Sequence, residues 1–275
     1  MKSKREEKIE EYERLGLFDR DIEDDPPTRE LKPEEIEYPK KGFLQGLKTR
    51  FAYLLAYRYA AKMERQGLLV IKEVRGAENL GEVGGCVLTA NHFSPLDSFI
   101  MTRAFDLSGR RGRMYRVIKE GNYTSFPGFY GFLMRNCNTL PLSQSRATML
   151  KFLRGTSKLL KDGECVLVYP EQSMWHNYRK PKHLKPGAFE IAARAGVPVV
   201  PTFITMEDTD RILDDGERVQ AHTVHIGAPI YPIPELSVKE NAEKMRDEVY
   251  RYNVSVYESF YGLSLEYLTD SNSEG

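Results

Sequence analysis

No apolar run in this chain is long enough to cross a bilayer. The most promising stretch, Phe51 to Tyr57, is cut by Arg58, far short of the ~20 residues a spanning helix needs. Any membrane contact is therefore expected to be peripheral. Behind Met1-Lys2-Ser3-Lys4-Arg5-Glu6-Glu7 there is no apolar stretch of the kind that makes a secretory signal. Cysteine is scarce. Cys86, Cys137 and Cys165 are an odd set without metal-ligand spacing, each in or beside an apolar run, and they read as reduced core residues of a cytosolic protein. Excess charge is lacking too: 40 Lys and Arg balance 40 Asp and Glu, which argues against a general nucleic-acid binder. Gly-x-Ser-x-Gly does not occur, and neither does a phosphate-binding glycine loop of nucleotide type. His222 and His225 lie three apart in a strand-like run, so they point to opposite faces. With His176 and His183 in a loop, no metal site is expected.

What is present divides the 275 residues unevenly. Residues 1–41 hold 10 Lys/Arg against 14 Asp/Glu, a net charge of −4, leaving +4 for residues 42–275. Asp21-Ile22-Glu23-Asp24-Asp25-Pro26-Pro27 is polar and broken by proline, so 1–41 reads as a charged arm, with 17–41 an extended linker unable to build a core. Its acids lack the turn glycine and regular spacing of a cation loop. Residues 42–67 follow as an amphipathic helix. Leu44, Leu47, Phe51, Leu54, Leu55 and Met63 recur at spacings near 3.6, and Lys48, Arg50, Arg58 and Lys62 alternate with aromatics. That pattern suits an anionic membrane surface or packing on the chain's own domain, and different parts of the helix can serve each.

Residues 68–269 read as the main domain and 270–275 as a tail. Apolar or β-branched runs at 68–74, 85–90, 114–118, 138–142, 164–169, 198–205 and 222–227 alternate with helical patterns at 95–105, 146–161, 187–195 and 237–262. The expected fold class is α/β, with a mainly parallel or mixed central sheet flanked by helices and preceded by the N-terminal amphipathic helical segment.

Gly85-Cys86-Val87-Leu88-Thr89-Ala90 predicts a short buried strand, with Asn91-His92 at its carboxyl end and Ser94-Pro95-Leu96-Asp97 opening a helix. Chemistry in α/β proteins concentrates at such ends. Ser94 suits an N-cap, Pro95 the first helical position, and Asp97 a capping box three residues on, which is one complete reading of the segment. The other folds Asp97 back onto the imidazole. A carboxylate on one ring nitrogen fixes the tautomer and leaves the other nitrogen to take a proton. With no protein nucleophile marked, the attacking group would be the substrate's own hydroxyl, and amides at the Ser94 turn would face the oxyanion.

Asn91-His92-x-x-x-x-Asp97 resembles the signature of the glycerolipid and lysophospholipid acyltransferases, the 1-acylglycerol-3-phosphate acyltransferase family. Later segments resemble its other blocks in order. They are Lys119-Glu120 with Pro127-Gly128-Phe129, then Thr139-Leu140-Pro141-Leu142, Val166-Leu167-Val168-Tyr169-Pro170-Glu171, Lys185-Pro186-Gly187-Ala188-Phe189, and Val197-Pro198-Val199-Val200-Pro201. The similarity runs from about Gly76 to Thr205. Two departures concern the acceptor. The family's Asp-Arg pair after the second block is replaced by Ser143-Gln144, and its Glu-Gly-Thr-Arg by Glu171-Gln172-Ser173-Met174.

The resemblance implies an enzyme that moves a fatty acyl group from acyl-CoA or acyl carrier protein to a lipid hydroxyl. Lysophosphatidate is the leading acceptor and phosphatidic acid the product. His92 and Asp97 are the implied catalytic residues, and Glu171, Gln172, Ser173, Arg146 and Arg179 the substrate-binding set. Arg146, Arg179, Lys180, Lys182 and Lys185 either replace the missing arginines or form a solvated basic face. Trp175 and Met174 either line an acyl channel or pack. No cofactor is implied beyond the acyl donor, and no nucleic acid. The expected location is cytoplasmic, peripheral on the inner face of a membrane. Three rivals stay open: a different lysolipid acceptor, hydrolysis of the thioester, and a non-catalytic lipid- or carrier-binding protein.

Overall fold

Seven strands form one sheet in the computed structural model of the chain, which describes residues 3–23, 28–214 and 216–269. The strands are β1 (Val70–Arg75), β2 (Cys86–Thr89), β3 (Met114–Ile118), β4 (Thr139–Pro141), β5 (Cys165–Val168), β6 (Val199–Ile212) and β7 (Arg218–Ile226), one at each predicted run. Their order is β1-β7-β6-β2-β5-β3-β4. All neighbours are parallel except β6 and β7, so the sheet is mixed and mainly parallel.

The central strands are apolar on both faces. Cys86 and Leu88 of β2, with Cys165 and Leu167 of β5, pack on one side against Ile100, Met101 and Ala104 of α4 (Asp97–Leu107). Val87 and Val166 face the other side, where α7 (Arg146–Lys161), α8 (Gly187–Ala195) and α9 (Val238–Tyr261) supply Phe152, Leu159, Phe189, Met245 and Val249. Strands covered by helices on both faces lose their alternating pattern and become continuous apolar runs. Each fully buried side chain of this size contributes roughly 1.5–3 kcal/mol. Gly85 has a specific reason to be glycine: a Cβ there would lie 1.7 Å from the Leu160 carbonyl oxygen.

The amphipathic helix is α2 (Phe43–Arg65). Its Ala52 is buried against Leu133 and Cys137, with Ala56 packed alongside, and Ala60 and Met63 pack on the main core. Its first half is bare, with Phe43, Leu44 and Phe51 exposed at 81, 72 and 54%. No helix among the described residues is long and apolar enough to cross a membrane.

Four α-helices among the described residues had no counterpart in the sequence pattern: α1 (Lys4–Arg14), α3 (Glu78–Gly81), α5 (Glu120–Thr124) and α6 (Gly128–Asn136). Within α1 only Ile9 and Glu13 are buried, so no apolar stripe marks it. A capping box does mark its start, Ser3 accepting from the Glu6 amide and Glu6 from the Ser3 amide. β6 and β7 also run on past the sheet as a polar ribbon, pairing through Ile212 and Arg218, where Glu207 to Arg211 carry no apolar run to read.

The expectation that the arm cannot build a core is corrected. Ile9, Phe18 and Ile22 are buried around Trp175, together with Tyr12, Tyr178 and Tyr267, and Leu31 and Ile36 are buried farther along. A few well-spaced apolar side chains suffice because the domain supplies the partner surface. Asp24 to Pro27 of the acid cluster and the tail 270–275 lie outside the described residues.

Candidate active site

Four parallel strands, β2, β5, β3 and β4, end on one edge of the sheet and deliver the blocks singled out in the sequence. β2 leads to Asn91-His92, β5 to Tyr169-Pro170-Glu171, β3 to Lys119-Glu120 and β4 to Leu142-Ser143. The Asn91 side chain locks the first of these ends. Its Nδ2 donates to the Ile204 carbonyl at 3.0 Å and its Oδ1 accepts from the Ile204 amide at 2.8 Å, extending the β2–β6 ladder by one rung.

His92 then turns back on Asp97. Its Nδ1–H donates to Asp97 Oδ2 at 2.5 Å, an assignment that follows from the carboxylate's role as acceptor. The capping-box reading is overturned. The helix begins at Asp97 itself, Leu96 takes the N-cap position without a side-chain cap, and Ser94 Oγ accepts only from the Leu96 amide at 3.1 Å. The amides expected to face an oxyanion are partly committed, since that of Asp97 donates to the Ser94 carbonyl.

Tyr169 completes the pair and was not anticipated. Its ring stacks on the imidazole with centroids 4.5 Å apart, and its hydroxyl donates to Asp97 Oδ1 at 2.9 Å. Burial, and then the Asp97 charge, hold that hydroxyl well above the ordinary tyrosine range, so it stays a donor. Both carboxylate oxygens of a nearly fully buried aspartate are thus satisfied. The imidazole keeps a quarter of its surface, and no serine or cysteine among the described residues hydrogen-bonds to it.

Glu171 buttresses the same turn. Oε2 accepts from the His92 amide at 3.2 Å and Oε1 from the Lys182 amide at 3.1 Å. The Lys182 ammonium, 1% exposed, lies 3.6 Å from Glu171 and donates to the Ser173 carbonyl and Oγ, both at 2.7 Å. Burial pulls the pKa of this lysine down while Glu171 pulls it back up. A buried cation therefore stands behind the third block, where the residues themselves offer no arginine.

The other predicted contacts fall elsewhere. Ser173 is buried, its Oγ donating to the Phe18 carbonyl, and Gln172 is an exposed turn residue at φ 65°. Arg179 is committed to Asp208 at 2.6 Å and to Gln220 at 3.2 Å, on β6 and β7. Arg146 is exposed at the start of α7, beyond the end of β4 and three strands from β2. Trp175 is fully buried, packing rather than lining a channel. Lys180 and Lys185, with Arg179 and Lys182, all have acidic partners, so the predicted basic face is neutralised from within. No group of three metal-ligating side chains occurs among the described residues.

Beside the pair, a cleft of about 390 Å³ runs between α2, α4 and α6, within the range of small-ligand sites. Pro95 and Ser98 line it next to the His92 turn. Ala56, Ala60 and Phe99 give it apolar walls, and the buried Arg116, bonded to Tyr53 and Thr102, adds a polar patch.

A carboxylate-held histidine at the carboxyl edge of a parallel sheet, with an apolar cleft alongside and no serine or cysteine bonded to it among the described residues, has the geometry to take a proton from a bound hydroxyl. Residues 72–205, just under half of the chain, match the family model described as Acyltransferase. It is 32% identical over 165 residues to a chloroplastic 1-acyl-sn-glycerol-3-phosphate acyltransferase of Brassica napus, covering 58% of this chain and 45% of that one. A second chloroplastic 1-acyl-sn-glycerol-3-phosphate acyltransferase, of Arabidopsis thaliana, is 29% identical over 147 residues, covering 53% and 38%. The chain thus spans under half the length of these curated relatives. Among solved structures, a 1-acyl-sn-glycerophosphate acyltransferase of Thermotoga maritima aligns over 81% of this chain and 82% of its own, at 22% identity and a TM-score of 0.49.

Proposed function

We propose that this protein transfers a fatty acyl group from an acyl thioester to the free hydroxyl of 1-acylglycerol-3-phosphate, giving phosphatidic acid. The observation that carries this reading is the His92–Asp97 pair, 2.5 Å apart, opening beside an apolar cleft. The family match and the relatives' names support the reaction and the acceptor.

In this mechanism the acceptor hydroxyl lies against His92 Nε2. As its oxygen attacks the thioester carbonyl, Nε2 takes the proton, and Asp97 stabilises the imidazolium through Nδ1. The tetrahedral oxyanion collapses, the C–S bond breaks, and the thiolate recovers the proton from His92. No acyl-enzyme forms, so His92 works once as base and once as acid in each turnover. The acyl chain of the donor occupies the cleft between α2 and α4. The bare apolar half of α2, with Lys48 and Arg50 beside it, rests on an anionic membrane surface at its inner face, where the lysolipid is drawn.

Product analysis with purified protein tests this reading. With lysophosphatidate and either acyl-CoA or acyl carrier protein thioester, phosphatidic acid should form. Release of free fatty acid at the same rate with and without lysolipid would instead identify a hydrolase.

A further inference from the structure

The N-terminal arm does more than pack. Its net charge of −4 meets the +4 of the remaining chain through specific pairs around the site. Glu13 pairs with Lys180 at 2.5 Å and Asp19 with Lys185 at 3.0 Å. The backbone of residues 18–20 crosses the third block, the Phe18 carbonyl accepting from Ser173 Oγ at 2.6 Å and the Arg20 carbonyl from Trp175 Nε1 at 2.7 Å. The next residue, Asp21, places its carboxylate between two blocks. Oδ1 accepts from the Met174 amide at 3.0 Å, and Oδ2 from the Lys119 ammonium.

Those two donors stand beside the catalytic turn. Lys119 directly follows β3, two strands from β2, and with strands ~4.8 Å apart that is on the order of 10 Å from the His92 strand end. Met174 precedes Trp175, whose amide donates to the His92 carbonyl at 3.2 Å. A backbone N–H and an ammonium converging on one carboxylate make an anion cradle. The arginines expected to grip an acceptor's phosphate are missing from the nearby blocks, yet an anion is held there all the same. It belongs to the chain itself.

We propose that Asp21 is an internal placeholder in an anion subsite built by the Lys119 ammonium and the Met174 amide, and that the phosphate monoester of the acceptor displaces its carboxylate to bind. This rests on the acyl-transfer reading and extends it to how the headgroup is admitted. The Asp21 side chain can swing away while Phe18 and Ile22 stay anchored in the Trp175 cluster. A neutral headgroup could not compete for the cradle, so the placeholder also selects for phosphate.

Direct binding of glycerol 3-phosphate to the full chain tests this without turnover. Asp21→Asn should tighten binding at least fivefold, and Lys119→Gln should weaken it by as much. In the wild type, the Met174 amide resonance should shift on titration, a readout that does not depend on any variant folding. In the acylation assay, Asp21→Asn should lower KM for lysophosphatidate and leave KM for monoacylglycerol unchanged. Unaltered or weaker glycerol 3-phosphate binding by Asp21→Asn, or a Met174 amide indifferent to the ligand, overturns the proposal. Tighter binding of inorganic phosphate than of glycerol 3-phosphate overturns its assignment to a headgroup. Failure of the acyl-transfer reading would show separately, as no turnover of any lysolipid despite these binding shifts.

Discussion

At the scale of single residues, the site is a histidine whose orientation is over-determined. Asp97 holds one ring nitrogen, Tyr169 stacks on the ring and bonds the same carboxylate, and Glu171 holds the backbone amide. Removing the tyrosine hydroxyl leaves Asp97 Oδ1 without its donor in a buried place. Tyr169→Phe should therefore lower kcat roughly tenfold, the worth of one hydrogen bond to a charged group, with KM little changed, and steady-state kinetics checks this. Lys182 invites a different prediction. Lys182→Met strands the buried Glu171 carboxylate and should cost ~3–5 kcal/mol in stability by denaturant unfolding. Of these residues, His92, Asp97 and Glu171 were legible as motif positions. Tyr169 was quoted only as part of a strand, because a tyrosine in an apolar run looks like core. Lys182 was one of several cations in a polar loop, and nothing local distinguishes the one that turns inward.

At the scale of elements, each strand was visible as an apolar or β-branched run, continuous in the central strands because these are buried on both faces. The helices that failed to show were short or charged all round. α1 and the arm after it fold because the domain offers them Trp175 and a set of cations, a long-range circumstance that no local period records. The same reasoning applies to α2, whose halves do different things. Phe43→Glu with Leu44→Glu should at least halve sedimentation with anionic vesicles while leaving thermal unfolding unchanged, since both side chains are exposed. Ala60→Phe would fill the cleft between α2 and α4. It should reduce kcat/KM for a long-chain donor at least tenfold more than for a short-chain donor, measured in one competition assay.

At the scale of the whole molecule, a charge-neutral chain separates its charge, and the acidic arm closes on the basic domain around the site. Acid should loosen this structure in a defined window. Burial, and then the Arg75 charge, pull the His225 pKa down to about 4 from 6.5. Between those values the unfolded chain binds a proton that the folded chain refuses, so stability falls as pH falls through that window and is unaffected by this group above it. His222 shifts in the same direction. Denaturant midpoints at pH 7, 5.5 and 4.5 should decline in that order, and His225→Gln should flatten the decline.

The central claim is that His92 is the base that activates the acceptor, and its most direct measurement is the rate of acyl transfer by His92→Ala. With the purified protein, lysophosphatidate and an acyl thioester, the variant should lose at least a hundredfold in kcat while its thermal unfolding matches the wild type. A folded His92→Ala protein that still forms phosphatidic acid at near wild-type rate would contradict the account.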